Sequence, residues 1–194
     1  KGAVAQNNSW GYEYQIDTLK SDISSNGWTN SYALTQRFNS SGTTASVASV
    51  DEYITALNTF QDGTTDYPNG GVVVWALSND SSFTDADYTA ALPELYPQLI
   101  EAWISAVNVE ITGSSGNETY TRKSAPCGST GAYCLGADAY QINGAGGANG
   151  TAGGYWTNGS GTSFVAPMIS GSVALLAEAF PNHNADQISD RLLT

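Results

Sequence analysis

Gly161-Thr162-Ser163-Phe164-Val165-Ala166-Pro167 opens an almost unbroken apolar run that ends at Phe180. The run predicts a helix from about Thr162 to Phe180 with Ser163 at its mouth. A helix N-terminus leaves backbone N–H groups unpaired and pointing outward. Such groups stabilise negative charge, including the oxyanion of a tetrahedral intermediate. Gly161 lets another backbone approach closely. Pro167 has no N–H, so the carbonyl of Ser163 loses its ordinary helical partner. Val165, Ala166, Met168, Ile169, Val173, Leu175 and Leu176 fall on all sides of the helical wheel. They predict a helix buried all round, rigid enough to hold a nucleophile. Taken alone, Gly-Thr-Ser ahead of a helix is more commonly an N-cap.

Upstream, Gly70-Gly71-Val72-Val73-Val74-Trp75-Ala76-Leu77 is a continuous apolar run behind a turn. It suits a strand buried on both faces, as in a parallel sheet. Trp103-Ile104-Ser105-Ala106-Val107-Asn108-Val109 is a second such strand. Val50, Tyr53, Ile54, Leu57 and Phe60 form one helical face, with Ser49 as the expected cap and Gly63 as the stop. Residues 2–7 read as a strand running into the turn Asn7-Asn8-Ser9-Trp10-Gly11. Helix alternating with buried strand predicts an α/β fold: a parallel sheet flanked by helices. Residues 12–46 are rich in Ser, Thr, Asn and Tyr without a sustained period. They read as an insertion-like surface region with a short helix near residues 31–37. A helical or turn segment is expected over 84–97, short strands and loops over 111–160, and high flexibility over 144–154. A second amphipathic helix starts near Asn184, with Ile188 and Leu192 on one face.

The 194 residues and their 41% hydrophobic share fit one domain with a sizeable core. Eighteen acidic against six basic residues give a net charge of −12. That field repels nucleic acid and anionic membranes, so neither is expected as a partner of this segment. No Asp-x-Asp-x-Asp-Gly loop is present, and neither a metal nor a cofactor is expected. Cys127 and Cys134 have neither zinc-ligand number nor redox spacing. A local disulfide in an oxidising compartment is expected, contributing roughly 2–3 kcal/mol. Two free thiols are the alternative.

Gly161-Thr162-Ser163-x-x-Ala166-Pro167-x-x-x-Gly171-x-x-Ala174-Leu175-Leu176 resembles the nucleophile segment of the subtilisin-like serine proteases, the subtilases. Val72-Val73-Val74-Trp75-Ala76-Leu77-Ser78-Asn79 is similar to the family strand whose asparagine donates to the oxyanion hole. By that resemblance Ser163 is the nucleophile and Asn79 an oxyanion donor. Ser78 stands where the family usually has glycine. Asn7-x-Ser9-x-Gly11 resembles the strand end that pairs with extended substrate. The resemblance thus assigns the substrate cleft to Ser9, Trp10, Gly11, Ala76, Leu77, Ser78 and Thr162. It implies serine endopeptidase activity through an acyl-enzyme on Ser163, a polypeptide substrate, and a subtilisin-like three-layer fold.

Leu92-Pro93-x-Leu95-Tyr96-Pro97, the Cys127/Cys134 pair and Gly153-Gly154-Tyr155 look like segments of bacterial autotransporter proteases. That likeness implies a secreted or cell-surface location, with passage through the periplasm. Asp138-Ala139 departs from the family's usual Pro-Gly.

A subtilase uses Asp, His and Ser in that chain order. The sole histidine here is His183, after Ser163 and at the far end of its helix. Twenty helical residues span about 30 Å, so His183 is expected to be an exposed turn residue out of reach. The family's Asp and His segments would precede Lys1. The expectation is therefore a partial catalytic domain over residues 1–194, lacking its first strands and inactive alone. A non-catalytic peptide-binding module is the rival. A remnant that self-associates through an exposed sheet edge is the third reading.

Overall fold

Every residue of Val72–Ala76 (β2) is buried, and the strand's two faces belong to different cores. The computed structural model describes residues 2–145 and 155–194. In it β2 lies parallel to Ala5–Asn8 (β1) on one side and to Trp103–Ser114 (β3) on the other. Side chains alternate across a strand, so Val73, Trp75 and Leu77 face one way and Val72, Val74 and Ala76 the other. The first face meets three helices, Ile16–Asn26 (α1), Asn30–Ser40 (α2) and Val47–Asp62 (α3). The second meets Thr162–Ala179 (α4) and Ala185–Leu193 (α5). The outcome is the expected α/β sandwich of three layers.

The sheet is mixed rather than purely parallel. β3 runs past its buried half and turns back into Asn117–Arg122 (β4), an antiparallel and wholly exposed strand. Cys134–Asp138 (β5) pairs parallel to β3. Ile142–Ala145 (β6) and Tyr155–Gly159 (β7) form a separate antiparallel pair. The expected mobility of 144–154 falls almost entirely on residues outside those described. Between β2 and β3 the chain makes two short 3₁₀ turns, at Leu92–Glu94 and Pro97–Leu99. Cys127 and Cys134 are joined by a disulfide, with their Cα atoms 5.9 Å apart.

Residues 12–46 are not a surface excursion. α1 inserts Ile16 and Leu19, and α2 inserts Ala33 and Leu34, all fully buried. Gly27 ends α1 in the left-handed conformation, and the Thr29 hydroxyl accepts from the N–H of Tyr32 to start α2. Each helix carries only two or three inward apolar residues, too few to stand out as a period. The helix expected from Ser49 starts earlier. Ser46 is the N-cap, and Ser49 closes a reciprocal capping box with it.

α4 departs from expectation in burial. Val165, Ala166, Ile169 and Val173 are buried, but Met168 is 42% exposed and Leu175 70% exposed. The helix is apolar all round yet covered on one side among the described residues.

Truncating Leu34 to Ala should cost about 2–5 kcal/mol in urea denaturation, the range of a fully buried leucine. Leu175→Ala, on the exposed face, should stay within about 0.5 kcal/mol. Equal midpoints for both variants would remove α2 from the core.

Candidate active site

The parallel strands of the sheet end together, and the candidate residues gather at those carboxyl ends. β1 runs into Ser9-Trp10-Gly11, β2 runs into Leu77-Ser78-Asn79, and α4 starts between them at Thr162-Ser163. These residues line one open cleft of about 150 Å³. All nine residues predicted as catalytic or substrate-binding line it: Ser9, Trp10, Gly11, Ala76, Leu77, Ser78, Asn79, Thr162 and Ser163. Tyr12 and Glu13 also line it, and sequence reasoning had left both in the surface region.

Thr162 ties the helix mouth to the strand end. Its N–H donates to Oδ1 of Asn79 at 2.9 Å. Its hydroxyl reaches the Leu77 carbonyl at 2.5 Å and lies 3.1 Å from the same Oδ1. A backbone N–H can only donate, so the Asn79 amide oxygen must face Thr162. The Nδ2 hydrogens then have no partner among the described residues and remain available on an exposed side chain. Gly161 adopts φ 153°, and a Cβ there would sit 3.1 Å from Asn79 Oδ1. The glycine at that position therefore allows the Thr162–Asn79 contact.

Ser163 is exposed and faces Ser9 in a reciprocal pair. Its hydroxyl donates to the Ser9 carbonyl, and the Ser9 hydroxyl donates to the Ser163 carbonyl, each at 3.2 Å. Both are longer than an ordinary O–H···O bond. The second contact answers the missing N–H of Pro167, which leaves that carbonyl without its helical donor.

The cleft walls share one buried carboxylate. Asp87 Oδ2 accepts from the Ser78 N–H at 2.6 Å, and Oδ1 accepts from the Thr89 hydroxyl and the Ala90 N–H. A Cβ on Gly11, in the opposite wall, would lie 2.8 Å from the Thr89 hydroxyl and 3.3 Å from Asp87 Oδ1. Burial pushes the Asp87 carboxyl above the usual carboxylate range, while its three donors pull the other way. Nothing in the local sequence marked Asp87. Its role follows from two strand ends converging on it. Trp10 is half exposed, packs edge-on against Trp75, and accepts the Trp75 indole N–H at its carbonyl. Tyr12 stacks on Tyr88 and leans on Phe38 of α2, so the helices of residues 16–40 support the cleft.

His183 is far from this cleft. It sits in the turn between α4 and α5, half buried beside Phe180 rather than exposed. It lines a cavity of about 410 Å³ with Val4 and Val72, at the amino ends of the strands. Among the described residues no other histidine exists to serve Ser163.

Fold and cleft together describe an α/β domain with a serine at the mouth of a helix under a parallel sheet's carboxyl edge. The Subtilase family model matches residues 1–194, and the chain belongs to that family. It is 29% identical over 139 residues to the extracellular serine protease of Serratia marcescens, covering 62% of this chain and 13% of that protein. The fold resembles the prenylagaramide maturation protease (TM-score 0.53, 16% identity), over 97% of this chain and 50% of that one. It also resembles sphericase (TM-score 0.50, 18% identity), over 84% and 53%. The chain thus spans about half of each solved relative and a smaller part of the curated one.

Thr162→Val keeps the shape and removes the hydroxyl that serves Leu77 and Asn79. It should lower stability by about 1–3 kcal/mol, because the Leu77 carbonyl is left without that donor. In the same variant the Asn79 side-chain amide resonances should broaden or shift in an ¹⁵N spectrum. Unchanged resonances and unchanged stability would show that Thr162 does not hold Asn79.

Proposed function

We propose that this chain supplies the nucleophile, oxyanion donors and substrate-pairing strands of a serine endopeptidase. The observation that carries the reading is the convergence of Ser163, Asn79 and both strand ends on one cleft. In this reading Ser163 Oγ attacks the peptide carbonyl and its proton passes through a base to the leaving amine. The acyl-enzyme ester is then hydrolysed by water. The N–H of Ser163 and the Nδ2–H of Asn79 receive the oxyanion. Ser9–Gly11 and Ala76–Ser78 pair with extended substrate on either side. The base and its orienting aspartate come from outside these 194 residues, since His183 lies at the opposite end of the sheet. Secretion to or beyond the bacterial cell surface, in the manner of an exported autotransporter passenger, accompanies this reading. It is supported by the Serratia marcescens extracellular relative and by the disulfide.

Without a base the chain should turn over no peptide at a practical rate. In subtilisin, loss of the histidine lowers turnover by roughly 10⁶. A fluorophosphonate probe with added imidazole as an external base tests the nucleophile on the chain as it stands. Labelling at Ser163 should be slow and disappear in Ser163→Ala. Asn79→Ala should slow it further, by up to about 10²–10³. Label retained in Ser163→Ala would sink the assignment.

A second reading, a self-associating or purely peptide-binding remnant, has its own observation. β1 pairs with β2 alone among the described residues, and Met168 and Leu175 face outward from α4. An open sheet edge beside apolar surface favours association. Sedimentation velocity at tens of micromolar should then show dimers or larger species, and Leu175→Glu should shift them towards monomer. A native chain that sediments as a monomer throughout would exclude the associating form.

A further inference from the structure

We propose that the cleft selects a cationic side chain, arginine or lysine, in the peptide it receives, with Glu13 as the charged partner. The inference rests on the peptide-binding reading of the cleft. Of the residues lining it, Glu13 alone carries a formal charge at neutral pH. No lysine or arginine lines it. The five described cations are all engaged elsewhere. Lys20 pairs with Glu94, Arg37 with Asp22 and Lys123 with Glu110. Arg122 is bound to the Ser81 and Ser124 carbonyls, and Arg191 lies over the Phe180 ring. Glu13 has none of these partners and is exposed to what enters the cleft.

The aromatic content adds a second, independent element. Trp10 and Tyr12 line the same cleft, and Trp10 is 48% exposed. A cation over an indole or phenol face is attracted by the ring quadrupole. An acidic peptide side chain would meet Glu13 with no compensating charge. A purely apolar one would leave Glu13 unpartnered.

The test uses the ¹⁵N-labelled chain and three blocked tetrapeptides that differ at one side chain: arginine, norleucine or glutamate. All should shift amides of the cleft, Gly11, Glu13, Ser78 and Asn79 among them. The arginine peptide should bind about tenfold tighter than the norleucine peptide, and the glutamate peptide weakest. Glu13→Gln should abolish the tenfold difference. Glu52→Gln, which removes the same charge from the exposed side of α3, should keep it. An arginine preference that survives Glu13→Gln, falls equally in both variants, or never appears overturns the charge inference. Peptide binding at the cleft would still stand in that case. Absence of cleft shifts with all three peptides would overturn the peptide-binding reading itself.

Discussion

The six residues from Val72 to Leu77 have no face that tolerates water, and the architecture follows from that. A strand buried on one side needs one packed layer. This one has Val73, Trp75 and Leu77 on one side and Val72, Val74 and Ala76 on the other, all buried. Both sides must be covered, and a parallel neighbour on each edge must satisfy the backbone. Parallel neighbours require long crossovers, and the crossover between β1 and β2 supplies the helices that cover the first face. α3 lies between β1 and β2 in the chain and packs on the first face. α4 follows β7 and packs on the second. Trp75 deepens the first core by stacking on Trp103, whose indole N–H is taken by the Ala90 carbonyl.

That layering decides where chemistry can occur. Parallel strands end at one edge, so loops from β1 and β2 and the mouth of α4 are brought together without any of them being near in sequence. Thr162 and Asn79 are 83 residues apart and Ser9 and Ser163 are 154 apart, yet each pair is hydrogen bonded. The contacts differ in kind. The Thr162 hydroxyl bond to Leu77 is short and buried, and the part-buried contacts from Thr162 hold the Asn79 oxygen. The Ser9–Ser163 bonds are long and exposed, and they leave the serine hydroxyl free to exchange partners. A firmly held asparagine amide thus sits beside a loosely held serine hydroxyl.

What was legible in the sequence divides along the same line. Continuous apolar runs at Val72–Leu77 and Trp103–Val109 announced buried strands because full burial leaves no polar alternation. The string from Gly161 to Leu176 announced the helix mouth because proline and glycine mark its backbone. α1 and α2 were not legible. Their inward stripes, Ile16 with Leu19 and Ala33 with Leu34 and Phe38, are two or three residues each, set among serines and asparagines whose own signal is turn or surface. Glu13 was passed over with them, although it stands only two residues beyond Gly11. Asp87 was illegible for another reason. Its partners are Ser78 and Thr89 and its neighbour across the cleft is Gly11, and no local pattern encodes a carboxylate shared by two walls.

The one-sided burial of α4 shows what hydropathy states and what it leaves open. Residues Thr162–Ala179 are mostly apolar, and even the uncovered side carries side chains that prefer to leave water. Preference does not create a partner. The sheet covers Val165, Ala166, Ile169 and Val173, while Met168 and Leu175 face outward. Whatever contacts that outward face contacts the helix that carries Ser163, about one to three turns from the serine itself. Because α4 is pinned at its mouth by Thr162 and along one side by β2, force applied to its free side has little room to rotate it. The orientation of Ser163 is therefore set by the sheet, by the Thr162 anchor and by the reciprocal contact with Ser9, rather than by the outer face of the helix.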